Sequence, residues 1–393
     1  MARTLPLCVA VAIVVGVVAG AGEAATPVPD GLVLYQHEAE HGSWIEVRDL
    51  GDGSRRALTP RLQPSEMRRD SDASWSEDGA VVAFVRQTGK SEAIYVVDAD
   101  GSNLRRVVTL ASLRPLAGQR ISTLSRAAWS PDGSTLLFTV RGPRTAGCID
   151  EGLFAVGADR SGLRRLWRRP RSLTATLDHY DWSPDGSRVL FTIDRNDAGG
   201  CRDDDYFSSD LDVVSDPRRN LQRVATDSSI GGPTWSPDGD AIAYSVDCDT
   251  VCNLAVAFPN GGRSRRITHF RPQSVGYGFT YYAPFAWSGR GKEIVFGHPL
   301  GSGDSRSLYS IDAETGALRR LVTAPCPGPK RSCTYSLIDL YRISSDGTIV
   351  VFDVERDARG SATTIQRYAA FIDEKRLVRL PRPPLIVDDV YLS

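Results

Sequence analysis

The sequence predicts an all-β protein: a seven-bladed β-propeller of four-stranded antiparallel blades, closed by its C-terminal strand. Three observations predict it. The pentapeptide WSPDG occurs unchanged from Trp129, Trp182 and Trp235, at intervals of 53 residues. Degenerate copies extend the series in both directions, as WSEDG from Trp75, WSGRG from Trp287 and ISSDG from Ile343. Between the copies, short apolar or alternating runs recur with turn residues between them, the mark of a sheet-forming repeat of about 50 residues.

The glycines closing the motif are Gly79, Gly133, Gly186, Gly239, Gly291 and Gly347, spaced by 52 to 56 residues. A PDG fragment at Pro29–Gly31 lies 48 residues before Gly79 and makes a seventh unit. After each glycine comes a buried-strand pattern: STLLFTV after Gly133, SRVLFTI after Gly186, DAIAYSV after Gly239, KEIVFG after Gly291, TIVVFDV after Gly347. A second strand follows a variable loop, as AIYVVDAD, GLFAVGAD, DLDVVSD, LAVAFPN and SLYSIDAE, several ending in turn-forming residues. A third recurs as LRRV, LRRLW, LQRVA, SRRIT and LRRLV, and the residues before each Trp supply the fourth. Within the motif, Pro presets φ for a type I turn, Gly tolerates a left-handed backbone, and Trp offers a large face to the next sheet. These residues are read as structural.

The first unit lacks its inner strand, and the chain ends on the apolar run LIVDDVYLS. Setting Leu392-Ser393 before Pro29-Asp30-Gly31 rebuilds a motif, so the C-terminal strand is expected to complete the first blade and leave no open edge. Six blades with a decorating N-terminal segment is the alternative.

With this pattern in hand, W-S-P-D-G, then I-Y-V-x-D, then L-R-R-L, the chain resembles the TolB-like propeller repeat, a relative of the WD-repeat propellers. The resemblance spans residues 28–393 and implies the fold. It implies no single function, because the repeat occurs in scaffolds, binding proteins and the propellers of peptidases. TolB itself carries a further N-terminal α/β domain, which this sequence does not contain. Peptidases of the prolyl-oligopeptidase group join such a propeller to a hydrolase domain with a G-x-S-x-G elbow; these 393 residues hold no such elbow, and GSGDS at Gly301 has Gly where the nucleophile belongs.

Composition narrows the class. The 393 residues are 41 % hydrophobic and 24 % charged, with a formal net charge of −1, which gives no general ground for a nucleic-acid partner. Residues 1–25 combine Arg3, an apolar run from Leu5 to Ala19 and small residues at Ala19–Ala24, the layout of a signal peptide. Residues 26–393 are then an exported propeller, secreted or periplasmic, with no membrane span after cleavage and monomeric by expectation. Six cysteines remain beyond Cys8, an even number that favours disulfides in an exported chain. Placing them on the repeat map gives Cys148–Cys201, Cys248–Cys252 and Cys326–Cys333.

The WSPDG turns are short and uniform, whereas the long loops, from Gly142, Arg195, His269 and Ala324, all map to the opposite end. That loop-rich face is the expected binding surface. All five histidines map there: His37, His41, His179, His269 and His298. A divalent-metal cluster, as some propeller polysaccharide lyases hold, competes with ordinary loop polarity. With no H-x-H or H-E-x-x-H spacing the second reading is preferred, and no metal or cofactor is expected. Asp203–Asp205 lack calcium-loop spacing. Tyr277, Phe279, Tyr281 and Tyr282 fit either a sugar- or peptide-stacking surface or a half-buried strand. The paired arginines of the outer strands, such as Arg105-Arg106, Arg164-Arg165 and Arg319-Arg320, read as edge protection rather than a nucleic-acid stripe. The expected role is non-enzymatic: a scaffold holding a protein or cell-envelope glycan. The alternative is a metal-dependent polysaccharide lyase.

Overall fold

A computed structural model describes residues 32–379, except 40–41, 50–53, 64–66, 118–120, 126, 143–149, 169–174, 196–207, 216–219, 228, 247–252, 271–284, 290, 298–306, 324–335, 344–348, 359–360 and 373–375. The fold is a β-propeller. The third sheet shows the plan. Its inner strand Ala175–Trp182 pairs with Arg188–Arg195, then Ser208–Ser215, then the outer Leu221–Asp227, each antiparallel to the last. The fourth (Ile230–Trp235 to Arg265–Arg266), fifth (Phe285–Trp287 to Leu318–Thr323) and sixth (Ser336–Ile343 to Arg376–Arg379) sheets repeat it. In the second sheet the inner strand is split into Thr123–Leu124 and Ala128–Trp129, both on Thr135–Arg141.

The first sheet departs from one sheet per repeat. It has seven strands because the first two repeats share it. The strand Gly42–Asp49 forks: its lower part pairs with Arg55–Ala57, while Gly42 and Ser43 pair in parallel with Arg68 and Arg69 of the next inner strand. Gly42 is required for that approach, since a Cβ there would lie 1.8 Å from the Arg68 carbonyl oxygen. The seventh unit's completion by Leu392-Ser393 lies outside the described residues.

One helix, Leu110–Ala117, was not expected from the strand pattern; it fills the link from the first sheet to the second. Thr109 and Ser112 cap it reciprocally, each backbone N–H donating to the other's hydroxyl at 3.0 Å, and Leu110 and Leu113 bury its inner face.

The core is a chain of clusters, each between neighbouring repeats rather than within one. Trp182 packs with Leu137, Leu153, Val189 and Phe191, and Trp235 with Leu190, Leu211, Ile242 and Tyr244. Because each sheet buries both faces against its neighbours, its middle strands read as unbroken apolar runs.

Candidate functional site

The five-letter turns build one end of the molecule. In the four turns that end at Gly79, Gly133, Gly186 and Gly239, the Ser backbone carbonyl accepts from the Gly N–H at 2.8 Å, and the Gly has φ between 65° and 74°. The Ser hydroxyl donates to the Asp carboxylate, at 2.6 Å for Ser130–Asp132 and 2.5 Å for Ser183–Asp185 and Ser236–Asp238. The same hydroxyl accepts the backbone N–H five residues on, at 2.9 Å from Thr135, Arg188 and Ala241. In WSGRG, which has no Asp at that place, the corresponding Glu293 N–H to Ser288 bond is 3.3 Å. The Ser183 hydroxyl, followed by that of Ser187, holds the Asp185 pKa down at about 2. The Ser130 hydroxyl, followed by the Ser134 backbone N–H, lowers the pKa of Asp132. Adjacent turns also meet. A Cβ on Gly186 would lie 3.7 Å from Pro131 Cδ, and one on Gly239 3.6 Å from Pro184 Cδ.

Of the residues singled out in the sequence, His37 lies at the opposite end, next to the Ala39–Gly42 hairpin. His37 and Trp44 are direct cross-strand partners, and their rings stack at 5.0 Å and 9°. His37 Nε2 lies 3.6 Å from Glu46, and Arg61 Nη2 reaches the other carboxylate oxygen at 3.5 Å. Glu46 is buried, whereas the His37 side chain is 31 % and that of Arg61 69 % exposed. The indole N–H of half-buried Trp44 has no hydrogen-bond partner. Beside this platform, Asp70 is fully buried and takes a bidentate pair from Arg86, at 2.6 and 2.8 Å, and Arg68 Nη1 at 3.2 Å. Arg68 also donates to the Pro60 carbonyl, and the Ser43 hydroxyl to the Asp70 carbonyl. The inner strand is thereby tied both to the strand that carries Glu46 and to the link that carries Arg61.

The inner strands bulge on their way to the turns, between Ser71 and Ser74, Leu177 and Tyr180, and Gly231 and Thr234. His179 lies in the second of these, its backbone N–H donating to Thr192 Oγ1 at 3.0 Å. Tyr180 and Ser125 join the second and third sheets at 2.7 Å. Glu92 accepts the Leu124 N–H at 2.7 Å across the first and second sheets, and burial raises its pKa. His269 is exposed in the link after the outer strand Arg265–Arg266.

His37, His179 and His269 therefore have three separate environments. His41, His298, Tyr277, Tyr281, Tyr282 and all six cysteines lie outside the described residues. Among the described residues, no three His, Cys, Asp or Glu side chains are grouped to hold a metal, and no helix is long and apolar enough to cross a membrane. The sequence reading missed Trp44, Glu46, Arg61 and the Asp70 network. The only sequence signal for them is charge inside otherwise apolar strand patterns. A cleft of about 380 Å³, lined by Ser130, Asp132, Thr135, Trp182 and Asp185, also opens at the turn end, which the uniformity of its turns had marked as plain scaffold.

These features define a propeller with a polar, aromatic loop end. Its fold is shared with oligogalacturonate lyase in complex with manganese, at 14 % identity over 88 % of this chain and 87 % of that one, TM-score 0.54. A prolyl endopeptidase matches at 14 % identity over 93 % of this chain and 49 % of that one, TM-score 0.58, so the chain spans about half of that protein's length. TolB from Acinetobacter baumannii matches at 15 % identity over 89 % of this chain and 79 % of that one, TM-score 0.39. No protein-family model matches the sequence, and no curated protein is similar to it. At such identities the likeness shows the fold alone.

Proposed function

We propose that this chain is an exported, non-enzymatic binding propeller that holds a protein or cell-envelope glycan on its loop-rich end. The observation that carries this reading is the His37–Trp44 stack with Glu46 and Arg61 beside it. A half-exposed aromatic face gives apolar contact at little entropic cost, and the exposed Arg61 guanidinium, held by the buried Glu46 carboxylate, orients a polar ligand. The buried Asp70 network supports it by holding the platform's strands in fixed relation, as a preorganised site needs. The proposal includes cleavage of residues 1–25, a secreted or periplasmic location, a monomeric state, and seven blades closed by Leu392-Ser393. Splitting the shared first sheet at its parallel junction supports that count.

The test is retention of defined envelope glycan fragments and envelope proteins on the immobilised chain. Trp44→Ala is expected to weaken retention of the true ligand by about tenfold, in the range of an aromatic anchor. Retention unchanged by Trp44→Ala and His37→Ala would remove this platform from the function. Elemental analysis separates the lyase reading: a stoichiometric divalent metal lost on replacing His179 and His298 would put a metal enzyme in place of the scaffold.

A further inference from the structure

The repeat allows one seam of the molecule to be compared with the next. The residue two places after the motif glycine is Thr135 in the second sheet and Arg188 in the third, and each faces the tryptophan of the following repeat. Between the third and fourth sheets Arg188 fills the seam. Its guanidinium lies 4.9 Å from the Trp235 ring centroid and donates to the Gly239 carbonyl at 2.7 Å and to Asn260 at 2.9 Å. Between the second and third sheets the short Thr135 leaves the equivalent space open, and the 380 Å³ cleft lies there, lined by Trp182 and Gly186 in the places of Trp235 and Gly239.

Other seams close differently. The indole N–H of Trp129 donates to the Ser74 carbonyl at 3.2 Å, and that of Trp287 to the Thr234 carbonyl at 3.1 Å. Trp182 and Trp235 make no such bond, although each is only 5 % exposed. One of these two looser seams has its own cation. The other offers the same aromatic face and two carboxylates, Asp132 and Asp185, on its walls.

We propose that the cleft between the second and third sheets binds a guanidinium cation, carried by an arginine side chain of a partner polypeptide, which lies over Trp182 as Arg188 lies over Trp235. A planar guanidinium suits the slot better than an ammonium, because it stacks on the ring while its edge donates to carbonyl and carboxylate oxygens. The hydroxyl bonds from Ser130 and Ser183 keep both wall carboxylates ionised, so the slot is anionic at neutral pH. This surface is at the end opposite the loop-rich platform and stands independently of the function proposed for it.

Calorimetric titration of the mature chain with N-acetyl-arginine methylamide and its citrulline counterpart tests the proposal. Citrulline has nearly the same shape without the charge. Saturable binding of the arginine derivative is expected, with citrulline at least tenfold weaker. Thr135→Arg, which supplies the cation from within as Arg188 does next door, is expected to abolish binding with an unchanged melting temperature. Should that variant fold poorly, Trp182→Phe is expected to keep binding and Trp182→Leu to lose it. Equal binding of citrulline, absence of saturation, binding unaltered by a folded Thr135→Arg variant, or equal binding by the two Trp182 variants would each overturn the assignment. Sedimentation identifies the source. Self-association that Thr135→Arg removes assigns the arginine to a second copy of this chain, whereas a monomer that binds an arginine-containing peptide assigns it to another protein.

Discussion

Asp185 accepts three hydrogen bonds inside its five-residue turn, from the Ser183 hydroxyl at 2.5 Å, the Ser187 backbone at 3.1 Å and the Ser187 hydroxyl at 2.7 Å. The residue is exposed, so these bonds are screened and their worth is modest. Asp185→Ala is expected to lower stability by about 1 kcal/mol, the net worth of a charge-assisted bond near water, measured by urea unfolding. The pH dependence has a definite sign. The folded pKa of about 2 lies below the unfolded value, so the contribution is complete above roughly pH 4 and is lost as pH falls through about 2. Between pH 5 and 8, wild type and Asp185→Ala should therefore differ by a constant amount. A gap that closes anywhere in that range would show that another group titrates with the turn.

At the scale of the element, the first sheet is the unusual one. Its parallel junction at Gly42–Ser43 merges two repeats, and Asp70 anchors the junction from the inner strand between two guanidiniums that are themselves largely buried. Arg86 further lies 4.8 Å from the Tyr95 ring and 5.3 Å from that of Phe84. Removing the carboxylate takes this countercharge away from both cations. Asp70→Ala is expected to cost about 3–5 kcal/mol, the range for breaking a buried pair from one side, seen as a lower urea midpoint at an unchanged slope. A loss below about 1 kcal/mol would mean that water reaches the two arginines. The outer strands also do more than protect an edge. Arg56 donates to the Ala99 carbonyl of the next repeat and Arg265 to that of Ala313, both at 2.6 Å. Arg223 pairs with Asp210 at 2.9 Å and Asp212 at 3.1 Å along its own sheet.

Over the whole molecule, stability is distributed along a line of interfaces, since each hydrophobic cluster joins consecutive repeats. Disulfides Cys148–Cys201, Cys248–Cys252 and Cys326–Cys333 are proposed to add a covalent constraint to these interfaces, the first joining neighbouring repeats and the others closing single loops. Peptide mapping of the non-reduced protein should recover those three pairs. Free thiols at several of the positions, or a pairing of Cys248 with Cys201, would refute the proposed pairs.

The sequence by itself determined the repeat, its strand pattern and the chemistry of its corner turn, because these depend on neighbours within about five residues and on period-two burial. Trp129, Trp182 and Trp235 were legible as packing residues for the same reason. The helix at Leu110–Ala117 was not legible, since one capped turn and two buried leucines carry too short a period. Nor was the platform at His37 and Trp44, whose partners Glu46 and Arg61 come from a strand and a link that only the fold places side by side. The clearest division is at the three identical motifs. Five equal letters imply equal roles, yet one tryptophan donates to a carbonyl, one lies under an arginine and one lines an open cleft. That difference was decided by tertiary structure, because the space beside each ring is set by the preceding repeat, where Val81, Thr135 and Arg188 hold the same place with side chains of different reach and charge.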